Sequence, residues 1–147
     1  MKNIALITGA TGGLGQEFVK LHAQRKGDLV LVAREQEALN KLKEKVEKEF
    51  GLEAYTIAID LSQPDAAERI YNELKEKGIA IDYLLNNAGF GGQGDFFTRT
   101  MEQDMSMIAV NVVTLTKLTK LFLPDMKMRC TKVSPLTTFS LPLSIPS

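Results

Sequence analysis

Residues 4–15 read IALITGATGGLG: an apolar, β-branched run, a turn built almost wholly from glycine and other small residues, and the opening of an amphipathic stretch. A run of that length and composition predicts a buried strand, and the stretch from residue 14 predicts a helix. Small residues between the two permit a tight turn. They also let the backbone approach an anionic group such as a pyrophosphate at the positive end of the helix. A glycine-rich turn gains that meaning from its context, directly after the first strand and directly before the first helix.

Outward from this turn the same grammar repeats to about residue 123. Strands are predicted at 3–8, 28–33, 54–60 and 83–87, and their continuous apolar character indicates a parallel sheet covered on both faces. Helices are predicted at 14–25, 36–50, 64–77 and 101–123, so the pattern is βαβ throughout and the fold class is α/β. In the second helix Leu39, Leu42, Val46 and Phe50 recur at steps of three and four. Glu37/Lys41 and Glu44/Lys48 lie four apart on what should be the wet side. Pro64 is expected near the first turn of the third helix with Ser62 capping it, and Gly78 to end it. No internal repeat is present.

The chain has 147 residues, which suits a single domain burying roughly 70% of its unfolded surface. It carries 18 basic and 18 acidic residues, so nothing in its charge argues for nucleic acid or an anionic membrane. The single Cys130 excludes an internal disulfide and reads as an inert side chain. The apolar run after Met1-Lys2 is cut by Gly9, too early for a signal peptide or a spanning helix, and a soluble cytoplasmic protein is expected. The lone His22 has no metal-spaced partners and reads as a solvated surface residue; no metal site is expected.

The turn is not G-x-G-x-x-G, since Phe18 stands where a third glycine would fall; it is T-G-x-x-x-G-x-G over Thr8 to Gly15. With Asp60-Leu61 after the third strand, Asn86-Asn87-Ala88-Gly89 after the fourth and Asn111 inside the long helix, the chain resembles the short-chain dehydrogenase/reductase family over about residues 3–126. The stretch Phe90 to Phe96 is similar to the loop of one bacterial subgroup. The resemblance implies a Rossmann-like, doubly wound parallel sheet, incomplete, in strand order 3-2-1-4. It also implies hydride transfer between a nicotinamide cofactor and a carbonyl or alcohol. By that resemblance Gly9, Thr11, Gly12, Gly13, Leu14 and Gly15 cradle the pyrophosphate, Asp60 and Leu61 face the adenine, and Asn87, Ala88 and Gly89 lie along the adenosine ribose. For Asn87 a second reading stays open, a side chain bonding backbone between strands.

An acid about 20 residues past the glycines bonds a ribose 2′-hydroxyl, whereas an arginine accommodates a 2′-phosphate. The second strand ends in Leu31-Val32-Ala33-Arg34, so Arg34 points to NADP. Glu35 beside it could serve the ribose, which keeps NAD possible, and a plain surface arginine is the bland alternative.

The family's chemistry uses a Tyr as general acid/base, a Lys that lowers its pKa, a substrate-orienting Ser and an Asn that joins the proton relay. Asn111 matches the last of these, and alone it cannot move a proton at neutral pH. Tyr71 and Lys75 form a Y-x-x-x-K in the wrong place, before Asn86, and read as a chance match in which Tyr71 packs and Lys75 is solvated. Spacing would put the Ser near Thr137 or Thr138, and the Tyr and Lys beyond Ser147. After Asp125 there is no Gly and no acidic residue, and residues 130–147 hold four Ser, three Thr and three Pro. Pro135, Pro142 and Pro146 disfavour a central strand there.

The sequence therefore predicts a partial dinucleotide-binding domain over residues 1–126 and an irregular tail over 127–147. A frameshift or early stop in the gene near Met126 is expected, leaving a chain that lacks turnover. The alternatives are a non-catalytic cofactor-binding or protein-interaction module and one half of a split enzyme. The open edge of the fourth strand and the apolar helix at 101–123 predict self-association.

Overall fold

The computed structural model describes residues 1–92 and 94–129. The expected irregular tail beyond residue 129, with Cys130, Thr137 and Thr138, lies outside the described residues. Strands β1 (Ala5–Thr8), β2 (Leu29–Ala33), β3 (Ala54–Ala58) and β4 (Tyr83–Leu85) form one parallel sheet in the order β3-β2-β1-β4. The register pairs Leu6 with Val30 and Leu84, and Val30 with Tyr55.

Alternation along the strands sorts the side chains into two cores. Leu6, Val30, Val32 and Ile57 face Ile70 and Leu74 of α3 (Ala66–Glu76) and Leu118 and Phe122 of α5 (Leu115–Arg129). Ala5, Ile7, Leu29 and Leu31 face Val19 and Ala23 of α1 (Gly13–Gln24) and Leu39, Leu42 and Val46 of α2 (Gln36–Phe50). The sheet is thus doubly wound, as the continuous apolar strands required. Glu37, Lys41, Glu44 and Lys48 are exposed, the solvated face that their spacing predicted.

Several boundaries move. β3 stops at Ala58: Ile59 N donates to Ala33 O at 2.9 Å, and then the Asp60 carboxylate takes Ser62 N–H at 2.9 Å and turns the chain away. Ser62 is not the cap of the helix that follows. The third helix begins at Ala66 rather than 64, its N-cap Asp65 making no side-chain bond. It ends at Gly78 as expected, with φ +66° and Ile79 N donating back to Leu74 O at 2.8 Å.

The helix predicted at 101–123 is longer and not uniform. It comprises α4 (Met101–Ile108), a π-helical turn (Ala109–Thr114) and α5, which runs through Pro124 to Arg129. Residues 127–129, expected in the irregular tail, are helical. Tertiary anchors on both sides of Pro124 hold the helix together: Phe122 is buried, Tyr71 O–H donates to Asp125 Oδ2 at 2.8 Å, and Arg129 donates to Ile81 O. These offset the hydrogen bond the proline removes. Met101–Arg129 has the length and composition of a membrane-crossing helix. In this fold it is tied to the domain by Thr114 O–H to Leu61 O at 2.7 Å and by Lys117 to Pro64 O at 2.6 Å.

His22 is less open to solvent than its lone position in the sequence suggested. It is half-buried, its Nε2 bonds Asn3 O at 2.7 Å, and its ring stands edge-on to Tyr83 at 5.4 Å. Gly27 makes the room, since a Cβ there would lie 2.1 Å from Nε2. Tyr71 packs edge-on to Phe122 and Lys75 is exposed, as the chance-match reading required.

Candidate functional site

The glycine turn is fixed by close approach of backbone to backbone. Gly9 has φ +66°, in the left-handed region, and a Cβ on Gly15 would stand 2.0 Å from Gly9 O. Gly12 N–H donates to Gly9 O at 3.1 Å and Ala10 N–H to Val32 O at 3.1 Å, holding the turn against β2. The N-cap of α1, Gly12, supplies no side-chain bond, so the first N–H groups of the helix open into the space above the turn. A Cβ on Gly13 would meet nothing within 4 Å.

That space is a cleft of about 750 Å³ at the carboxyl ends of the strands. Gly9, Thr11, Gly12, Gly13, Leu14 and Gly15 form its floor, with Arg34 beyond β2, Asp60 and Leu61 beyond β3, and Asn87, Ala88 and Gly89 beyond β4. Every residue predicted to contact cofactor is therefore brought to one cleft. Asn111 is not among its lining residues. Its Oδ1 accepts from Phe90 N–H at 3.1 Å and its Nδ2 donates to Phe90 O at 2.8 Å, a two-way clamp made from within the π-helical turn. Both ends of the carboxamide are thus committed to loop backbone.

Asn87 makes the backbone bonds of its second reading, Nδ2 donating to Thr8 O at 3.0 Å and Gly9 O at 3.3 Å, while it also lines the cleft. Thr8, missed by the sequence reading as a site residue, organises the same corner. Its buried hydroxyl accepts from Asn87 N–H and Ala88 N–H, each at 3.0 Å, and donates to Leu85 O at 3.3 Å. Phe90, Gly91, Ser106 and Val110 also line the cleft. Ser106 and Val110 carry no sequence signal, because only packing brings α4 and the π-helical turn over the glycines.

Asp60 is held below the ordinary carboxylate value of 3.8 by the Ser62 backbone N–H, then by the Ser62 hydroxyl; burial opposes this, and the Arg34 charge assists it. A carboxyl whose folded-state value is lowered contributes stability that is fully present above the unfolded value and is lost as pH falls through the folded one. The stability difference between the native chain and Asp60→Asn is therefore expected to stay constant above about pH 5 and to shrink towards pH 3. Urea midpoints measured across that range check it; a difference that does not change with pH contradicts it.

A parallel sheet in this order, with a glycine turn leading from the first strand into a helix and a cleft at the carboxyl ends of the strands, defines the Rossmann-like class. Within it, the family model "short chain dehydrogenase" matches residues 3–133, and the chain belongs to that family. The very-long-chain 3-oxoacyl-CoA reductase of Mus musculus is 33% identical over 129 residues, 85% of this chain and 41% of the mouse protein. The corresponding human protein is 30% identical over 131 residues, with the same shares. The chain thus spans about two fifths of the length of these relatives. Among solved structures, a short-chain dehydrogenase from Sphingobium yanoikuyae in complex with NADPH superposes with a TM-score of 0.76 at 34% identity, covering 82% of this chain and 47% of that one. An alcohol dehydrogenase from Thermococcus sibiricus complexed with 5-hydroxy-NADP gives 0.79 at 28%, covering 86% and 54%.

Proposed function

We propose that this chain is the cofactor-holding half of a short-chain carbonyl reductase, that its cleft takes NADP(H), and that it binds without turning over substrate by itself. The observation that carries this reading is the convergence of the glycine turn, Arg34, Asp60 and the Asn87 to Gly89 loop on one cleft. The uncapped N–H groups of α1 and the absent side chains at Gly12 and Gly13 fit a pyrophosphate. Arg34, exposed at the rim of a cleft whose lining otherwise holds one acid, fits a 2′-phosphate. The NADPH and NADP complexes of the similar enzymes support the same cofactor.

When bound, the dinucleotide supplies a hydride to a carbonyl carbon, and the carbonyl oxygen then needs a proton. Among the described residues lining the cleft, only Arg34 and Asp60 are charged groups, and neither donates a proton at neutral pH: Asp60 is already ionised. The similar 3-oxoacyl-CoA reductases suggest a ketone as the acceptor of the complete enzyme.

Titrating the full chain with NADPH by fluorescence, then adding carbonyl compounds while recording the absorbance of the reduced cofactor, tests this. Saturable binding without oxidation is expected. Absence of saturable binding sinks the cofactor reading, and reproducible oxidation free of host enzymes sinks the claim of no turnover. In the same assay Arg34→Ala is expected to weaken NADPH about tenfold, roughly 1.4 kcal/mol, while changing NADH affinity less than twofold. Equal losses for both would place Arg34 outside 2′-phosphate recognition.

A second reading, association with another polypeptide, is favoured by the long helix. Met101, Met105, Ile108 and Val112, spaced four, three and four apart, are all exposed, and β4 has an unpaired edge among the described residues. Size-exclusion chromatography is expected to show species larger than a 16.3 kDa monomer. A single monomeric peak at high micromolar concentration contradicts it.

A further inference from the structure

The wall of the cleft formed by Phe90 and Gly91 belongs to a glycine-rich loop with little core beneath it; Phe96 and Phe97, further along, are largely exposed. Asn111 pins the loop at Phe90. A second fixing point lies on the other side. Arg99 Nε donates to Asp104 Oδ1 at 2.7 Å, with the two side chains only 17% and 18% exposed. One terminal nitrogen of the same guanidinium reaches towards Gly94 O at 3.4 Å, and its carbon stands 5.2 Å from the centre of the Phe96 ring. Gly92 lies directly against it: a Cβ there would be 2.7 Å from the guanidinium carbon and 2.9 Å from Nε. The partner acid is itself held in place, because Thr100 and Gln103 form a reciprocal capping box on the first turn of α4, the turn that carries Asp104.

We propose that Arg99, fixed by Asp104, is a positioning residue for the cleft: it holds the loop at Gly92 and thereby sets the Phe90–Gly91 wall against Ser106, and with it the affinity for the dinucleotide. The affinity half of this inference rests on the cofactor reading above. A flat guanidinium suits the task, since it can lie against a glycine backbone while donating edgewise to a carboxylate, which a lysine ammonium cannot do. Gly92 is then required for space and not for backbone freedom.

The test uses the full chain with Arg99→Ala, Gly92→Ala and the double variant. NADPH affinity, the hydrogen exchange of the Phe90 and Gly91 amides, and the thermal midpoint are read on each. Arg99→Ala and Gly92→Ala are each expected to weaken NADPH roughly three- to tenfold, the scale of one charge-assisted contact that is partly solvated. The Phe90 and Gly91 amides should exchange faster, while the β1 and β2 amides keep their protection. In the Arg99→Ala background the second substitution should add little, because the group it collides with is gone. Unchanged affinity and unchanged Phe90 and Gly91 exchange in Arg99→Ala overturn the proposal. So does a loss of protection spread across the sheet, which would mark a general structural role. If the native chain binds no NADPH, the cofactor reading fails by itself; exchange measured without ligand still decides whether Arg99 fixes the wall.

Discussion

Gly15→Ala is expected to abolish saturable NADPH binding, a loss greater than about 100-fold, and to lower the unfolding free energy by about 3 kcal/mol. The added Cβ would lie 2.0 Å from Gly9 O, 2.9 Å from Gly9 C and 3.0 Å from Ala10 Cα. All three are backbone atoms, so no side chain can swing aside. Either α1 must slide away from the turn or Gly9 must leave its left-handed conformation. Sliding α1 would withdraw Val19 and Ala23 from the core they share with Ile7 and Leu31. Gly13→Ala is the internal control. Its Cβ meets nothing within 4 Å, so stability is expected to hold or rise by up to about 1 kcal/mol, and any loss of NADPH affinity reports how closely the ligand approaches that α-carbon. Urea unfolding and fluorescence titration of both variants check this. A Gly15→Ala protein that keeps native affinity would show that the turn relaxes freely and that the cradle is not built on that contact.

Thr8→Val is expected to cost about 1–3 kcal/mol although the shape of the side chain is kept, because the loss of the hydroxyl leaves Ala88 N–H without its acceptor. Ala88 N–H loses its acceptor beside a side chain that is 2% exposed, while Asn87 N–H and Leu85 O keep each other at 3.0 Å. Asn87 still reaches Thr8 O and Gly9 O from its carboxamide, so the strand ends stay near one another while the loop that lines the cleft loosens. NADPH affinity should fall with stability. Thr8→Ser keeps the hydroxyl and should recover most of both. Denaturant midpoints with an unchanged slope separate a true loss of stability from a change in the unfolded chain. A Thr8→Val protein as stable as the native one would mean that water replaces the hydroxyl at no cost.

The long helix shows where reading by pattern fails. Proline at 124 is an ordinary reason to stop a helix near residue 123, and the sequence holds nothing that outweighs it. The outweighing contacts come from elsewhere in the chain: Tyr71 on α3 reaches Asp125, and Ile81, before β4, accepts from Arg129. The same holds for His22, whose partners Asn3, Gly27 and Tyr83 are joined only by folding.

What the sequence determined by itself is whatever depends on local chemistry and period. The apolar strands, the three- and four-residue steps of α2, the glycine turn after β1 and the position of Arg34 at the end of β2 are all of that kind. They sufficed for a parallel sheet covered on both faces; its order 3-2-1-4 and the residues gathered at its carboxyl ends were implied by the family resemblance that the motifs carry. What only the tertiary structure decided is which side chains act through space on that site. Thr8 spends its hydroxyl on the Asn87 loop, Asn111 clamps Phe90 from a π-helical turn, and Arg99 lies against Gly92. Ser106 and Val110 arrive by the packing of a helix. The Thr8 and Asn111 bonds join a polar group to backbone, and backbone carries no sequence signal that names its partner.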